Sequence, residues 1–389
     1  MRLLMTIKKL IGKLHLWLGF ISGLGVFIIA TTGCILAFQQ EIESVTKPYT
    51  YTASRPGVSP LSPSALKAIA VKQVTHKQPN GVLYPGKDKS ASVMFWGANP
   101  DYYYQVFMDP YTGKVIKVWS EEDDFFHFIL HGHYYLWLPP AIGQPVVASV
   151  TLIFFIMLIT GLVLWWPKNK AAAKQRFSVK WDAKWKRLNY DLHNVLGFYI
   201  LIIGLLLATT GLVWGFQWFS KAVYFATSGG EQLPADAPPL SDTTKAAIYR
   251  IPEDHVWQQL RKKAPADAAI MVSYAADKSA AIAASINYRP GTYYKLDNYY
   301  FDQNTLAVLP AKGPYTGEYA KAGFADKLRD MNYDIHIGAI IGLPGKIIVF
   351  LASLVCASLP ITGIYIWWGR RNKKLKKSAV ARSSSKMSA

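Results

Sequence analysis

The stretch that decides the fold is DLHNVLGFYILIIGLLLATTG, residues 191–211. A histidine stands near its start, a run without charged residues follows, and Thr-Thr-Gly closes it. Residues 13–33 read KLHLWLGFISGLGVFIIATTG, with the histidine and the Thr-Thr-Gly at the same positions. A helix of about 20 apolar residues spans the hydrocarbon core of a bilayer. The chain therefore repeats a membrane-length helix that carries a histidine near its start.

Four segments of the 389-residue chain are free of Lys, Arg, Asp and Glu and are long enough to cross a membrane. They are residues 14–40, 125–167, 192–220 and 347–369. The first follows several basic residues, as a signal peptide does, but it exceeds the apolar core of a cleavable signal and lacks an A-x-A site. We therefore expect four transmembrane helices, with the first retained.

The net charge of +19 is confined to three segments, residues 1–14, 167–190 and 369–389. Together they carry 20 Lys or Arg and a single acid, Asp182, while the rest of the chain is electrically balanced. By the positive-inside rule, both termini and the middle loop are cytoplasmic and the two long loops are exported. No basic surface remains for nucleic acid.

The second and fourth helices also match, because they end in MLITGLVLWWP (157–167) and SLPITGIYIWWG (358–369). Each exported loop shows a helical stretch followed by β-rich runs, which predicts a small α+β unit. The Thr-Gly pairs are interpreted as small residues that let helices approach closely. The tyrosine clusters at 102–104, 293–294 and 299–300 suit either a sheet or a ligand groove. The chain is thus a duplicated unit of helix, outside loop and helix.

Four histidines recur at matched positions, and the charge pattern gives their depth. His15 and His193 lie at the cytoplasmic interface, whereas His131 and His336 lie at the outer one. Neutral imidazole is a common axial ligand of haem iron, and facing helices can hold a porphyrin between two such ligands. Nearby glycines would let a flat macrocycle approach the backbone; they are Gly19, Gly132, Gly197 and Gly338.

The four histidines predict two bis-histidine b-type haems, held without covalent attachment because C-x-x-C-H is absent. His133 and His127 remain alternative ligands of the outer haem iron, since His127 precedes His131 by one helical turn. The competing interpretations are interfacial histidines that bond headgroups or water, a metal site, and a proton relay.

The motifs LHLWLGF, DPYTGKV, LHG, LITGLVLWWP, LHNVLGF, HIGAIIGLPGK and ITGIYIWWG together resemble the PepSY-associated transmembrane family over residues 8–370. One branch of that family consists of haem-containing ferric-siderophore reductases of the bacterial inner membrane. The resemblance implies an all-α bundle of four transmembrane helices with two periplasmic α+β PepSY-like domains. It also implies that His15 and His193 hold the cytoplasmic-side haem and that His131 and His336 hold the periplasmic-side haem.

The implied activity is electron transfer across the membrane to Fe(III) in a siderophore, which releases Fe(II) on the periplasmic side. The cytoplasmic segments are too short for a flavin or nicotinamide domain, so the expected donor is quinol or a separate reductase. The alternatives are a non-enzymatic membrane-anchored PepSY protein that binds or regulates a partner, and a component of a siderophore or haem permease.

These expectations divide the chain into ten segments. They are a cytoplasmic N-terminus (1–13), TM1 (14–40), a first periplasmic domain (41–124), an interfacial segment (125–142), TM2 (143–166), a basic cytoplasmic loop (167–190), TM3 (191–219), a second periplasmic domain (220–334), an interfacial segment with TM4 (335–368) and a basic cytoplasmic tail (369–389).

Overall fold

The computed structural model describes residues 2–98, 101–167, 169–170, 173, 176–235 and 237–387. Parts of the predicted basic loop and the end of the predicted tail lie outside these residues. The chain divides into two compact units. The helical unit contains Met1–Ala37, Ile129–Phe219 and His336–Ala389, and the sheet unit contains Phe38–Phe128 and Ser220–Ile335.

The helices are α1 (Arg2–Ala37), α2 (Gln39–Thr46), α3 (Pro63–Ala70), α4 (Phe125–Tyr135), α5 (Pro140–Trp165), α6 (Trp185–Asp191), α7 (Gly197–Tyr199), α8 (Leu201–Gly215), α9 (Gln217–Thr227), α10 (Pro252–Lys263), α11 (Phe324–Asp330), α12 (Asn332–His336) and α13 (Leu343–Met387). The strands are β1 (Gly81–Tyr84), β2 (Ala91–Ala98), β3 (Asp101–Met108), β4 (Val115–Ser120), β5 (Ala269–Ser273), β6 (Ile282–Asn287), β7 (Leu296–Phe301) and β8 (Val308–Leu309).

Three helical stretches of the described chain are long and apolar enough to cross a membrane: Ile7–Ala37, Pro140–Trp165 and Leu343–Arg371. A fourth span exists if the bent pair Trp185–Tyr199 and Leu201–Gly215 counts as one. The chain is thus a membrane protein with three or four candidate spans.

The predicted third helix is not straight, because a π turn at Leu192–Leu196 follows α6 and the axis bends by 63° at Ile200. Ile200 has ψ near −2°, which departs from regular α geometry. A π turn inserts an extra residue into the helix and often marks a functional position. His193 lies inside this turn.

Small residues bring the spanning helices close together. A Cβ atom at Gly25 of α1 would lie 3.0 Å from the side chain of Val150 on α5, and one at Gly215 would lie 3.0 Å from Ala148. A Cβ at Gly23 would lie 3.4 Å from Pro360 on α13. Without a hydrophobic driving force in lipid, such close contacts supply much of the association between helices.

The two segments predicted to be exported build one eight-stranded sheet rather than two separate sheets. Its order is β4-β3-β2-β1-β5-β6-β7-β8, and β1 pairs antiparallel with β5 through Val82 opposite Val272. This pairing covers two strand edges that separate domains would leave open. Tyr102–Tyr104 lie in β3 and Tyr299–Tyr300 in β7, so these tyrosines belong to the sheet.

One face of the sheet carries α3 and α10, which occupy equivalent places in the two halves of the sheet unit. Leu66 of α3 and Val256 of α10 are fully buried in this core. The ring of Trp257 stacks on Tyr84 with centroids 5.1 Å apart. Asp254 accepts hydrogen bonds from the backbone and hydroxyl of Ser64, which ties the start of α3 to the first turn of α10. The duplicated halves therefore share one hydrophobic core.

Burial raises the pKa of the Asp330 carboxyl to about 6, and the nearby Asp326 adds to the shift. An unfolded Asp has a pKa of about 3.9, so this group binds protons more tightly when folded. Its contribution to stability is therefore complete below about pH 4 and is lost as the pH rises through 6.

We expect Asp330→Asn to raise the free energy of unfolding at pH 7.5 by on the order of 1 kcal/mol, a value kept small because the site is partly solvated, and to raise the thermal midpoint accordingly. The amide oxygen can still accept the hydrogen bond from the Tyr315 backbone. The gain should vanish below pH 4, as followed by circular dichroism in detergent. Asp277→Asn is the contrast, since hydrogen bonds from Ser279 lower the pKa of Asp277. An equal gain at both positions would contradict the assignment.

Candidate functional site

Two histidines on different helices face a common cavity at the predicted cytoplasmic end of the helical unit. Nδ1 of His15 lies 2.9 Å from the Thr160 hydroxyl on α5, and Nδ1 of His193 lies 2.8 Å from the Thr362 hydroxyl on α13. Each imidazole is thus held through one ring nitrogen by a threonine of another helix. Both histidines also line the cavity.

The cavity has a volume of about 400 Å³, within the range of small-molecule and cofactor pockets. Its walls are mainly apolar, with aromatic side chains and several glycines; the glycines are Gly12, Gly19, Gly23, Gly161, Gly197 and Gly363. Arg370 also lines it, as do Tyr190 and Asn194. The predicted Gly19 and Gly197 therefore stand where a flat ligand needs a close backbone.

A second pair of histidines meets at the other end of the helical unit. The ring centroids of His133 and His336 lie 6.1 Å apart, with the planes inclined by 66°. Nδ1 of His133 lies 3.1 Å from the Thr32 hydroxyl on α1 and 2.9 Å from the Ile29 carbonyl. Nδ1 of His336 lies 2.7 Å from the Thr210 hydroxyl on α8. The outer pair repeats the arrangement of the inner pair.

The glycine after each of these threonines gives the imidazole room. A Cβ atom at Gly161 would lie 3.5 Å from Cε1 of His15, and one at Gly363 would lie 3.5 Å from Cε1 of His193. At the outer pair, the corresponding distances are 3.2 Å from Gly33 to His133 and 3.7 Å from Gly211 to His336. In each Thr-Gly pair, the threonine hydroxyl therefore bonds the imidazole, and the glycine leaves space for the ring.

The structure pairs His336 with His133 and does not bring His131 into this pair. The ring of His131 packs against Tyr135 with centroids 5.0 Å apart. Nδ1 of His127 lies 2.8 Å from a carboxylate oxygen of Glu121, within the sheet unit. His131 and His133 are two positions apart in the helix, with Gly132 between them, so the two side chains project from different sides of α4.

Two glycines predicted to admit a macrocycle have another role. A Cβ atom at Gly132 would collide with the indole of Trp137, and one at Gly338 would collide with the backbone at Gly345. Gly338 also has a φ of 78°, which favours glycine. These two positions serve close packing in the segments that precede α5 and α13.

The threonine contacts were not expected from the sequence, where the Thr-Gly pairs were interpreted as packing residues. A spacing signal was nevertheless present. His133 precedes Thr160 by 27 residues and His336 precedes Thr362 by 26, whereas His131 precedes Thr160 by 29. Aligning the repeats on Thr-Gly rather than on proline therefore favours His133.

A family model described as the PepSY-associated TM region matches residues 13–370. The chain belongs to the PepSY-associated transmembrane family. All four paired histidines and their threonine partners fall within the matched residues, so the paired sites are part of the family's region. No curated protein shows significant sequence similarity to this chain.

The donor set of this family member suits haem. Two metal–imidazole bonds of about 2 Å, plus about 1 Å from each nitrogen to its ring centre, separate two axial imidazoles by about 6 Å. The 6.1 Å between the His133 and His336 centroids agrees with this separation. At the inner pair, the two histidines line a mainly apolar cavity with several glycines in its wall. The residues present therefore fit two bis-histidine haems.

Proposed function

We propose that this protein is a di-haem b-type electron-transfer protein of the bacterial inner membrane that reduces ferric siderophores on the periplasmic side. The observation that carries the proposal is the paired arrangement of four imidazoles, each anchored through Nδ1 on a threonine of another helix. This anchoring leaves Nε2 of each ring as the ligand atom. His15 and His193 would hold one haem, and His133 and His336 the other.

Haem iron supplies one-electron redox chemistry, which is the chemistry that Fe(III) reduction requires. The protein residues position the group and exclude water. The apolar walls of the inner cavity, including Phe20, Phe198 and Trp165, keep the dielectric low around the imidazoles. Arg370 at the same cavity provides a cation for the carboxylates of a b-type haem.

The sheet unit is the proposed contact surface for the ferric siderophore, because the charge pattern assigns it to the exported side. Oxygen-donor chelators bind Fe(III) far more strongly than Fe(II), so one-electron reduction releases the iron. The electron donor is proposed to be quinol or a separate reductase.

The first test is the number of haems and the residues that hold them. Purified protein should show reduced-minus-oxidised b-type bands with about two haems per chain. His133→Ala should remove the outer haem and leave one, whereas the matched variant His131→Ala should retain both. His15→Ala or His193→Ala should remove only the inner haem. A colourless wild-type protein contradicts the proposal and favours a binding or regulatory protein.

Filling the inner cavity should exclude one haem without touching a ligand. Gly197 lines the cavity, and a leucine there would occupy the space that the proposed macrocycle needs. We expect Gly197→Leu to retain about one haem per chain by pyridine haemochrome assay. Gly369→Leu is the control, since a Cβ atom at that position meets nothing within 4 Å. Equal haem content in the two variants would refute this location.

The reductase activity can be measured directly under anaerobic conditions. Protein reduced with dithionite and freed of excess reductant should be reoxidised by a ferric tris-hydroxamate or a ferric tris-catecholate, with one Fe(II) trapped by ferrozine per electron. The gallium(III) complexes of the same chelators are the controls, because Ga(III) is not reduced. If neither ferric complex reoxidises the protein, ferric-siderophore reduction is wrong even when both haems are present.

A further inference from the structure

We propose that Thr32, Thr160, Thr210 and Thr362 are positioning residues that fix the tautomer of the four histidines proposed as ligands. Each would hold its histidine in the form with hydrogen on Nδ1 and a free lone pair on Nε2. This inference rests on the proposed function, because the lone pair matters only if Nε2 binds a metal. It assigns a role to the Thr-Gly pairs that helix packing alone does not require.

The direction of the hydrogen bonds follows from the helix carbonyls. The hydroxyls of Thr32, Thr210 and Thr362 lie 2.8, 2.8 and 3.0 Å from the carbonyl four residues earlier in their own helices. The Thr160 hydroxyl lies 3.1 Å from the Met157 carbonyl. A carbonyl can only accept, so each hydroxyl uses its single hydrogen there. Its remaining lone pairs accept from the imidazole, which must therefore donate Nδ1–H.

Three of the histidines have a second hydrogen-bond partner on a backbone. Nδ1 of His133 lies 2.9 Å from the Ile29 carbonyl, which requires hydrogen on Nδ1. His193 and His336 hydrogen-bond the backbone carbonyls of Leu359 and Leu207. Each of these carbonyls lies three residues before the threonine that holds the same ring. His15 differs, because the Thr160 hydroxyl is the acceptor that its Nδ1 meets at 2.9 Å.

The four contacts also cross-brace each half of the duplicated chain. In the first half, His15 on α1 bonds Thr160 on α5, and His133 before α5 bonds Thr32 on α1. In the second half, His193 bonds Thr362 on α13, and His336 bonds Thr210 on α8. Every brace lies within one half, whereas each ligand pair joins the two halves. The braces thus orient each ring through contacts within its own half.

A hydrogen bond accepted from Nδ1–H makes the imidazole more basic and restricts its rotation. Losing such a partner typically weakens metal affinity about 10- to 100-fold. A more basic ligand favours the ferric state, so loss of the bond should also raise the midpoint potential. The effect should be largest at His15, since the other three rings keep a carbonyl acceptor.

The decisive variant is Thr160→Val, which keeps the shape of the side chain and removes the hydroxyl. We expect the inner haem to bind about 10- to 100-fold more weakly and its midpoint potential to rise. Thr160→Ser should restore both values, and Thr362→Val should change them less. Thr151→Val on the same helix is the control, since the Thr151 hydroxyl bonds the Val147 carbonyl of its own helix.

An independent readout uses haem-free protein labelled with 15N-histidine. The nitrogen shifts of His15 should report Nδ1–H in the wild type and a mixture of tautomers in Thr160→Val. An unchanged potential and affinity in Thr160→Val, or equal changes in Thr151→Val, would overturn the positioning role. That result would leave the two-haem proposal intact, whereas a wild-type protein that binds no haem would remove both.

Discussion

The hydrogen bond between an imidazole Nδ1 and a threonine hydroxyl of another helix is the constraint on which the helical unit depends. A polar ring buried among apolar helices costs about 1–3 kcal/mol if its donor has no partner. The partner must therefore stand on whichever helix packs alongside the histidine. His15 with Thr160 and His193 with Thr362 meet this requirement at one end, and two further bonds meet it at the other. The same four contacts consequently determine both the orientation of the imidazoles and the packing of the helices.

Duplication explains why two sites of the same kind arise together. A single half places one histidine at each end of its helix pair. It therefore supplies one imidazole to each of the two proposed haem sites. Only the association of two halves brings His133 to His336 and completes a pair. The sheet unit is built in the same way, because β1 of the first half pairs with β5 of the second half. In both units, residues from both halves are therefore needed, to complete the histidine pair in one and the continuous sheet in the other.

The sequence predicted a membrane protein from charge and length, and three or four candidate spans agree with this. From spacing, it also named three of the four histidines that bond the threonines. It did not distinguish His133 from His131, because both lie in one short helix and only packing decides which ring turns inward. It also assigned the Thr-Gly pairs to packing, since small residues in apolar helices have that role by default. The single sheet was not predictable either, because the pairing of Val82 with Val272 joins residues far apart in the chain.

The two histidine pairs are connected through one helix, because α1 contributes a residue to each of them. On α1, His15 belongs to the inner site and Thr32 supports the outer one, 17 residues away. At 1.5 Å per residue this separates the two levels by about 26 Å. The bond of His15 with Thr160 joins α1 to α5, and the bond of His133 with Thr32 joins α4, which precedes α5, to α1. Sliding of α1 would therefore disturb both pairs. The proposed electron transfer between two haems would need a constant separation, and contacts of α1 at both of its ends favour such a separation.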